Sequence, residues 1–224
     1  MKTIVILTCL IAFFGFRQKT TAQTLNWKTS GKAKHVLSAG IGWDYSASYS
    51  LGYAYQLEAP VPVVLNTRFS IPSGERLLDD FKTSIGAQVL LFNGTDLKGS
   101  ISLNGLYRRY ENPLVILQNI GSELKGTFGY YRPNWFLAAE AGLDKAIVTR
   151  FKHSESFKET IFQDVTDGWY QPATGGHVFY GLQTGYSFTN SDINLRIGMV
   201  TTQDFTTTPL IPYYVMIGYN QRIE

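Results

Sequence analysis

Cysteine is nearly absent: Cys9 is the only one in 224 residues, so the chain has no disulfide framework to staple a small fold. Beyond the N-terminal region no apolar window approaches the 18 residues of a spanning helix. There is no proline-rich, serine-rich or charge-run linker and no long-period repeat, so a single domain is expected. Metal-ligand spacings such as HExxH or an EF-hand loop are missing. Gly40-Ile41-Gly42 is followed by no basic residue or helix that would make it a phosphate loop. The sequence therefore nominates no cofactor, no metal site and, by motif, no catalytic residue.

Charge of one sign is also lacking once the N-terminus is set aside. Met1-Lys2, the apolar run 3–16 and the small residues Thr20-Thr21-Ala22 read as a secretory signal, which predicts cleavage after residue 22 and a single domain over 23–224. Arg17 and Lys19 between the apolar run and that site leave an uncleaved anchor as the competing reading. Cys9, preceded by Thr8 and followed by more apolar residues, does not suit a lipid anchor. Removing Lys2, Arg17 and Lys19 from the 20 basic residues leaves 17, equal to the 17 acidic ones. A neutral mature chain has no general pull toward nucleic acid.

What the sequence does have is alternation. In 47–57, Ala47, Tyr49, Leu51, Tyr53, Tyr55 and Leu57 share one face, while Ser48, Ser50, Gly52, Ala54 and Gln56 share the other, a separation that only a strand produces. The same period recurs in ten segments: 36–44, 47–58, 61–71, 82–92, 96–107, 122–131, 134–148, 176–188, 191–201 and 211–221. The less apolar face, rich in Gly, Ser, Asn, Gln and charge, cannot make the dry core of a soluble barrel. With its apolar face toward lipid and its polar face toward a lumen, the same sheet is consistent, and it must close because hydrocarbon leaves edge groups unpaired.

The connections alternate in length. Ala59-Pro60, Asn93-Gly94-Thr95, Arg132-Pro133 and Thr189-Asn190 are tight turns, the second a preferred hairpin turn rather than a glycosylation site. Residues 72–81, 108–121, 149–175 and 202–210 are long, with Tyr45-Ser46 the exception. The expected fold is an all-β antiparallel up-and-down transmembrane barrel of about ten strands, eight or twelve being the neighbouring counts. Short turns belong on the periplasmic side and long loops outside. Trp43, Tyr55, Tyr130, Trp135, Tyr186, Tyr213 and Tyr219 suit interfacial girdles.

In these features the chain resembles the small outer-membrane β-barrel proteins of Gram-negative bacteria, and its Ala22-Gln23 junction looks like signals common in the Bacteroidetes. The likeness is architectural and spans nearly all of 23–224. It implies residence in the outer membrane among lipid and lipopolysaccharide, periplasmic chaperones, and assembly by the barrel insertion machinery. Many such barrels end on an aromatic residue; here Tyr219 precedes Asn220-Gln221-Arg222-Ile223-Glu224 and would have to be read internally.

Three functional readings follow. The first is a non-enzymatic barrel whose external loops, 108–121 and 149–175 above all, carry surface recognition of an unidentified extracellular ligand or a structural role. Leu114, Val115, Ile116 and Leu117 stand out there as a partial plug or contact. The second is a narrow pore for ions or small solutes, lined by Arg68, Lys98, Lys125, Glu140, Asp144 and Arg196, with Lys82 and Glu123 also inward. Those charges are equally able to pair with one another and fill the interior. The third, prompted by outer-membrane proteases and lipid A deacylases of similar build, is a surface hydrolase using His153 with Ser154, or His177; no third orienting group is legible. Arg150, Lys152, Glu155, Glu159, Asp164, Asp167, Asp79 and Asp80 read as solvated loop charge.

Overall fold

In the computed structural model of this chain, the described residues are 24–29, 33–44, 46–74, 78–171, 176–203 and 209–223. The signal reading of residues 1–22 lies outside them. Eleven strands and one short helix follow in order: β1 (His35–Trp43), β2 (Ala47–Leu57), β3 (Val63–Pro72), β4 (Asp80–Asn93), β5 (Leu97–Glu111), β6 (Val115–Tyr131), β7 (Trp135–His153), α1 (Glu155–Thr160), β8 (Gly168–Tyr170), β9 (Gly176–Ser187), β10 (Ser191–Thr202) and β11 (Tyr213–Ile223).

Ten strands form a ring. Each pairs antiparallel with its neighbour in the chain, except that β7 pairs with β9, and β1 pairs with β11 from His35↔Ile223 to Trp43↔Val215 to close it. The short β8 stands outside the ring on the far end of β7. Closure gives every strand of the ring two partners, so the ring presents no open edge.

Alternation sets the two faces of the wall. Ile85, Leu103, Phe128, Ile193 and Ile217 project outward and are exposed, while Gln88, Ser102, Asn104, Thr127 and Asn194 project inward and are buried. An apolar outer band around a polar interior is the arrangement of a transmembrane β-barrel. A bulge between Leu90 and Phe92 places Leu91 and Phe92 together on the outer surface while Leu90 stays inside. Two aromatic levels bound the outer band. Tyr130 and Trp135, 5.7 Å apart, sit with Tyr186 and Phe188 near the short turns, and Trp43 and Tyr213 sit near the long loops.

The wall is uneven in height. About 9–11 tilted residues cross a bilayer, yet β5, β6 and β7 have 15, 17 and 19. Their surplus lies on the long-loop side, because the tight turn at 132–134 holds β6 and β7 level with the rest at the other end. This corrects one expectation: 108–121 is not a loop. Ladder pairing continues from Arg108↔Asn119 to Glu111↔Ile116 around a tight turn at 112–114, and Val115, Ile116 and Leu117 are strand residues of β6. Likewise β7 runs on to His153, shortening the 149–175 loop.

Residues 24–29 lie inside the short-turn end of the barrel without joining any strand ladder. Leu25 and Trp27 are buried against the inward apolar residues Val36, Ala54, Val64, Leu90, Tyr131, Phe136 and Ala138, with Tyr131 and Phe136 stacked at 5.5 Å. Burying one such side chain is worth roughly 1.5–3 kcal/mol. The membrane barrel therefore carries a small apolar core of its own, confined to one mouth.

Candidate functional site: a charged chamber in the lumen

Above that core the lumen opens into a cavity of about 590 Å³, lined by polar and charged side chains from most of the ring and reaching the long-loop rim at Tyr110, Leu117 and Leu210. Strand periodicity delivers these groups: even-numbered residues of β3, β4, β5, β10 and β11 point inward, and bulges carry the pattern past the irregular positions.

At the mid-level one row crosses four strands in register: Glu140 on β7, Gly181 on β9, Gly198 on β10 and Tyr214 on β11. The two glycines leave the floor of the row bare, and the Tyr214 ring lies over them. A Cβ on Gly181 or Gly198 would approach the Tyr214 hydroxyl to 2.5 or 2.4 Å. Spanning the gap, Tyr214 donates its hydroxyl to Glu140 Oε1 at 2.7 Å. Arg196 donates to the same carboxylate from Nη2 at 2.8 Å and from Nε at 3.0 Å. Its guanidinium also sits 5.4 Å from the Tyr214 ring centre. Glu140 is thus fully enclosed with both its charge and its lone pairs matched.

The other charges are arranged around this node. Lys82 Nζ reaches Asp144 Oδ2 at 3.4 Å, and Asn104 donates to Glu123 Oε1 at 2.9 Å. Lys125 and Arg68 lie within electrostatic range of Glu123, Glu140 and Arg196. Nearer the rim, Arg108 pairs with Asp80 at 3.6 Å. Cations and anions interleave, which offsets their desolvation and leaves a chamber that is polar without a strong net field.

Of the six residues nominated as lumen lining, Arg68, Lys125, Asp144 and Arg196 line this chamber, and Glu140 sits in its wall beneath Arg196. Lys98 does not. It is an inward residue at the short-turn mouth, where Nζ donates to Asn93 Oδ1 and, at 3.3 Å, to the Gly94 carbonyl. Tyr214 was the residue missed: it shares the inward face of β11, but nothing local says that two strands beside it carry glycine at its level. Arg222 was missed for a simpler reason, because β11 runs two residues beyond the predicted end at 221 and so turns Arg222 inward.

The hydrolase candidates are apart from the chamber's charged node or tied up. His153 does have an orienting carboxylate that sequence reading could not supply: Asp167 Oδ1 lies 2.9 Å from Nδ1 and accepts the His153 backbone N–H at 2.8 Å. Lys158 donates to the other oxygen at 3.0 Å, and these three donors hold the Asp167 carboxyl well below the usual carboxylate range. The imidazole is stacked 4.9 Å from Phe157, and Ser154 Oγ accepts the Phe157 N–H as the cap of α1. The arrangement fastens the loop to β7. His177 lines the chamber from β9, as does Phe179. Among the described residues no group of three or more His, Cys, Asp or Glu could hold a metal ion.

No protein-family model matches the chain, and no curated protein matches it. Solved structures do. The chain is similar in fold to a KdgM porin. The identity is 9% and the TM-score 0.41, over 84% of this chain and 99% of that one. A KdgM porin in complex with disordered oligogalacturonate is 8% identical, with the same coverage and TM-score. A likeness so distant transfers neither ligand nor mechanism, and the chamber has to be interpreted from its own residues.

Proposed function

We propose that the protein is an outer-membrane barrel serving as a narrow pore for ions or small polar solutes, non-enzymatic, with its inner exit closed in the conformation described. One observation carries the reading: a cavity of about 590 Å³ whose wall mixes charged and hydrogen-bonding groups with apolar residues such as Leu106, Phe179 and Val200, opening toward the long-loop rim. A barrel that served only as a scaffold has no use for such a volume, and close-packed interiors hold few voids larger than a water molecule. From the chamber's edge at Gln88, buried hydrogen bonds to Ser100 and on to Thr127 keep the inward face polar toward the short-turn mouth. Because cations and anions interleave along the wall, the pore discriminates weakly between anions and cations.

The test is single-channel conductance of the protein isolated from outer membranes after expression of its full-length gene, reconstituted in planar bilayers. A heat-dependent shift in gel mobility first verifies a closed barrel. Salt-dependent openings, with ion preference shifted toward anions in Glu140→Gln, are expected. Silence from the intact barrel and also from a barrel stripped of the side chains of residues 24–29 overturns the pore.

Surface recognition by the segment after β7, residues 154–171, has separate support. His153, Asp167 and Lys158 order it, and Ile161, Phe162, Trp169 and Tyr170 are exposed on it. Retention of whole cells' binding to a host surface after all four are changed to Ser would remove that role.

A further inference from the structure

The short-turn mouth is spanned by residues 24–29, and their polar contacts reach two of its turns and the ends of two further strands. Asn26 Nδ2 donates to the Arg132 carbonyl at 2.9 Å and to Ser187 Oγ at 2.8 Å, reaching the β6–β7 turn and the end of β9. Lys28 Nζ donates to the Thr95 carbonyl at 2.5 Å and pairs with Asp96 at 3.2 Å, reaching the β4–β5 turn. Asn220 Nδ2 donates to the Thr24 carbonyl at 2.7 Å, and Arg222 Nη1 to Thr29 Oγ1 at 2.9 Å, reaching the end of β11. Leu25 and Trp27 fill the space between.

Two features separate this segment from a structural part of the wall. It shares no ladder hydrogen bond with any strand, and the ring of ten closes through β1 and β11 without it. Its anchors are hydrogen bonds that each involve a side chain, made to turns and strand ends, and only Leu25 and Trp27 bury large apolar groups. Leaving the mouth therefore breaks a handful of side-chain contacts and no backbone pairing of the barrel. Together with the apolar cluster around Leu25 and Trp27, the segment occupies the mouth below the chamber.

We propose that residues 24–29 are a displaceable gate, an internal plug whose exit from the mouth joins the chamber to the periplasmic side. Leu25 and Trp27 are the stopper, and Asn26, Lys28 and Thr29 are the latches that seat it. This inference rests on the pore reading above, and its experiment distinguishes the two.

Three samples are compared in planar bilayers: the unaltered protein, a variant with residues 24–29 replaced by alternating Gly and Ser, and an Asn26→Cys/Ser187→Cys variant joined by a reducible bis-thiosulfonate cross-linker. Expected are brief openings of the unaltered protein and a rise of about tenfold or more in open probability for the Gly/Ser variant, the factor that losing one buried large apolar side chain implies for a two-state equilibrium. The cross-linked pair should fall silent and regain its openings on reduction. Equal conductance from all three overturns the gate and leaves the pore standing. Silence from all three, each verified as a closed barrel, overturns the pore and the gate with it. If the Gly/Ser variant does not fold, the cross-linked pair decides: conduction unchanged by cross-linking refutes the gate.

Discussion

The Tyr214 hydroxyl lies 2.7 Å from Glu140 Oε1 although two whole strands separate β11 from β7. The contact exists because Gly181 and Gly198 occupy the row between them and leave the ring room to lie flat. Four measurable consequences follow from this node, from the mouth below it and from the outer wall.

Glu140 is buried with no exposed side-chain surface and carries the partner of a nearly buried guanidinium. Glu140→Ala leaves Arg196 uncompensated and should destabilise the barrel by about 3–5 kcal/mol in a denaturant titration, whereas Glu140→Leu combined with Arg196→Met should come out near neutral. Equal losses in the single and double variants would show that the pair is not what holds the node.

Gly198→Ala puts a methyl group 2.4 Å from the Tyr214 hydroxyl and 2.3 Å from the Tyr180 carbonyl. Overpacking of that kind costs about 1–3 kcal/mol. Tyr214→Phe should cost about 1.5–3 kcal/mol, that of a hydrogen bond to a charged group. If the ring is displaced as argued, adding Tyr214→Phe to Gly198→Ala costs little more, and a fully additive double variant would refute the geometry.

Leu103 is strongly exposed on the outer wall, and its neighbours in sequence, Ser102 and Asn104, are buried inside. Leu103→Arg should destabilise the folded barrel in lipid by about 2–4 kcal/mol, the depth-dependent cost at mid-bilayer. Leu103→Arg with no effect would mean that this face does not meet hydrocarbon.

The latch at the mouth should be acid-sensitive. Asp96, on a turn outside the spanning strands, has its carboxyl held below the usual range, first by the hydrogen bond from Lys28 and then by Arg132 at 3.4 Å. A depressed carboxyl contributes its full stabilisation above its unfolded value of about 3.9 and loses it as pH falls through the lower folded value. Open probability should therefore be flat from neutral pH to about 4 and rise below it. Asp96→Asn should abolish that rise while increasing openings at pH 7. A pH profile unchanged by Asp96→Asn removes Asp96 as a latch.

The ten-strand ring was legible because a strand half in lipid must alternate, as Ala47 to Leu57 does, and because Pro60, Asn93-Gly94 and Pro133 punctuate it. The tall wing was not. Arg108, Arg109 and Glu111 break the apolar alternation in a stretch that stands clear of the bilayer, where water meets both faces and no pattern is demanded, so continued strands read as loop. His153 was legible as a reactive type of residue but its partner Asp167 was not, since the loop conformation that brings them together has no period. Residues 24–29 carried no signal: their burial comes from turns as far away in sequence as Arg132 and Ser187.

The sequence by itself determined the closed antiparallel barrel and the side chains that face lipid, because hydrocarbon tolerates neither an unpaired backbone group nor a polar side chain, and both demands are met within one strand and its neighbours. Only the tertiary structure decided what the lumen contains. Which charge meets which, where Tyr214 finds room and what closes the mouth depend on register summed around the ring and on a segment folded back into it, and neither is written in any local period.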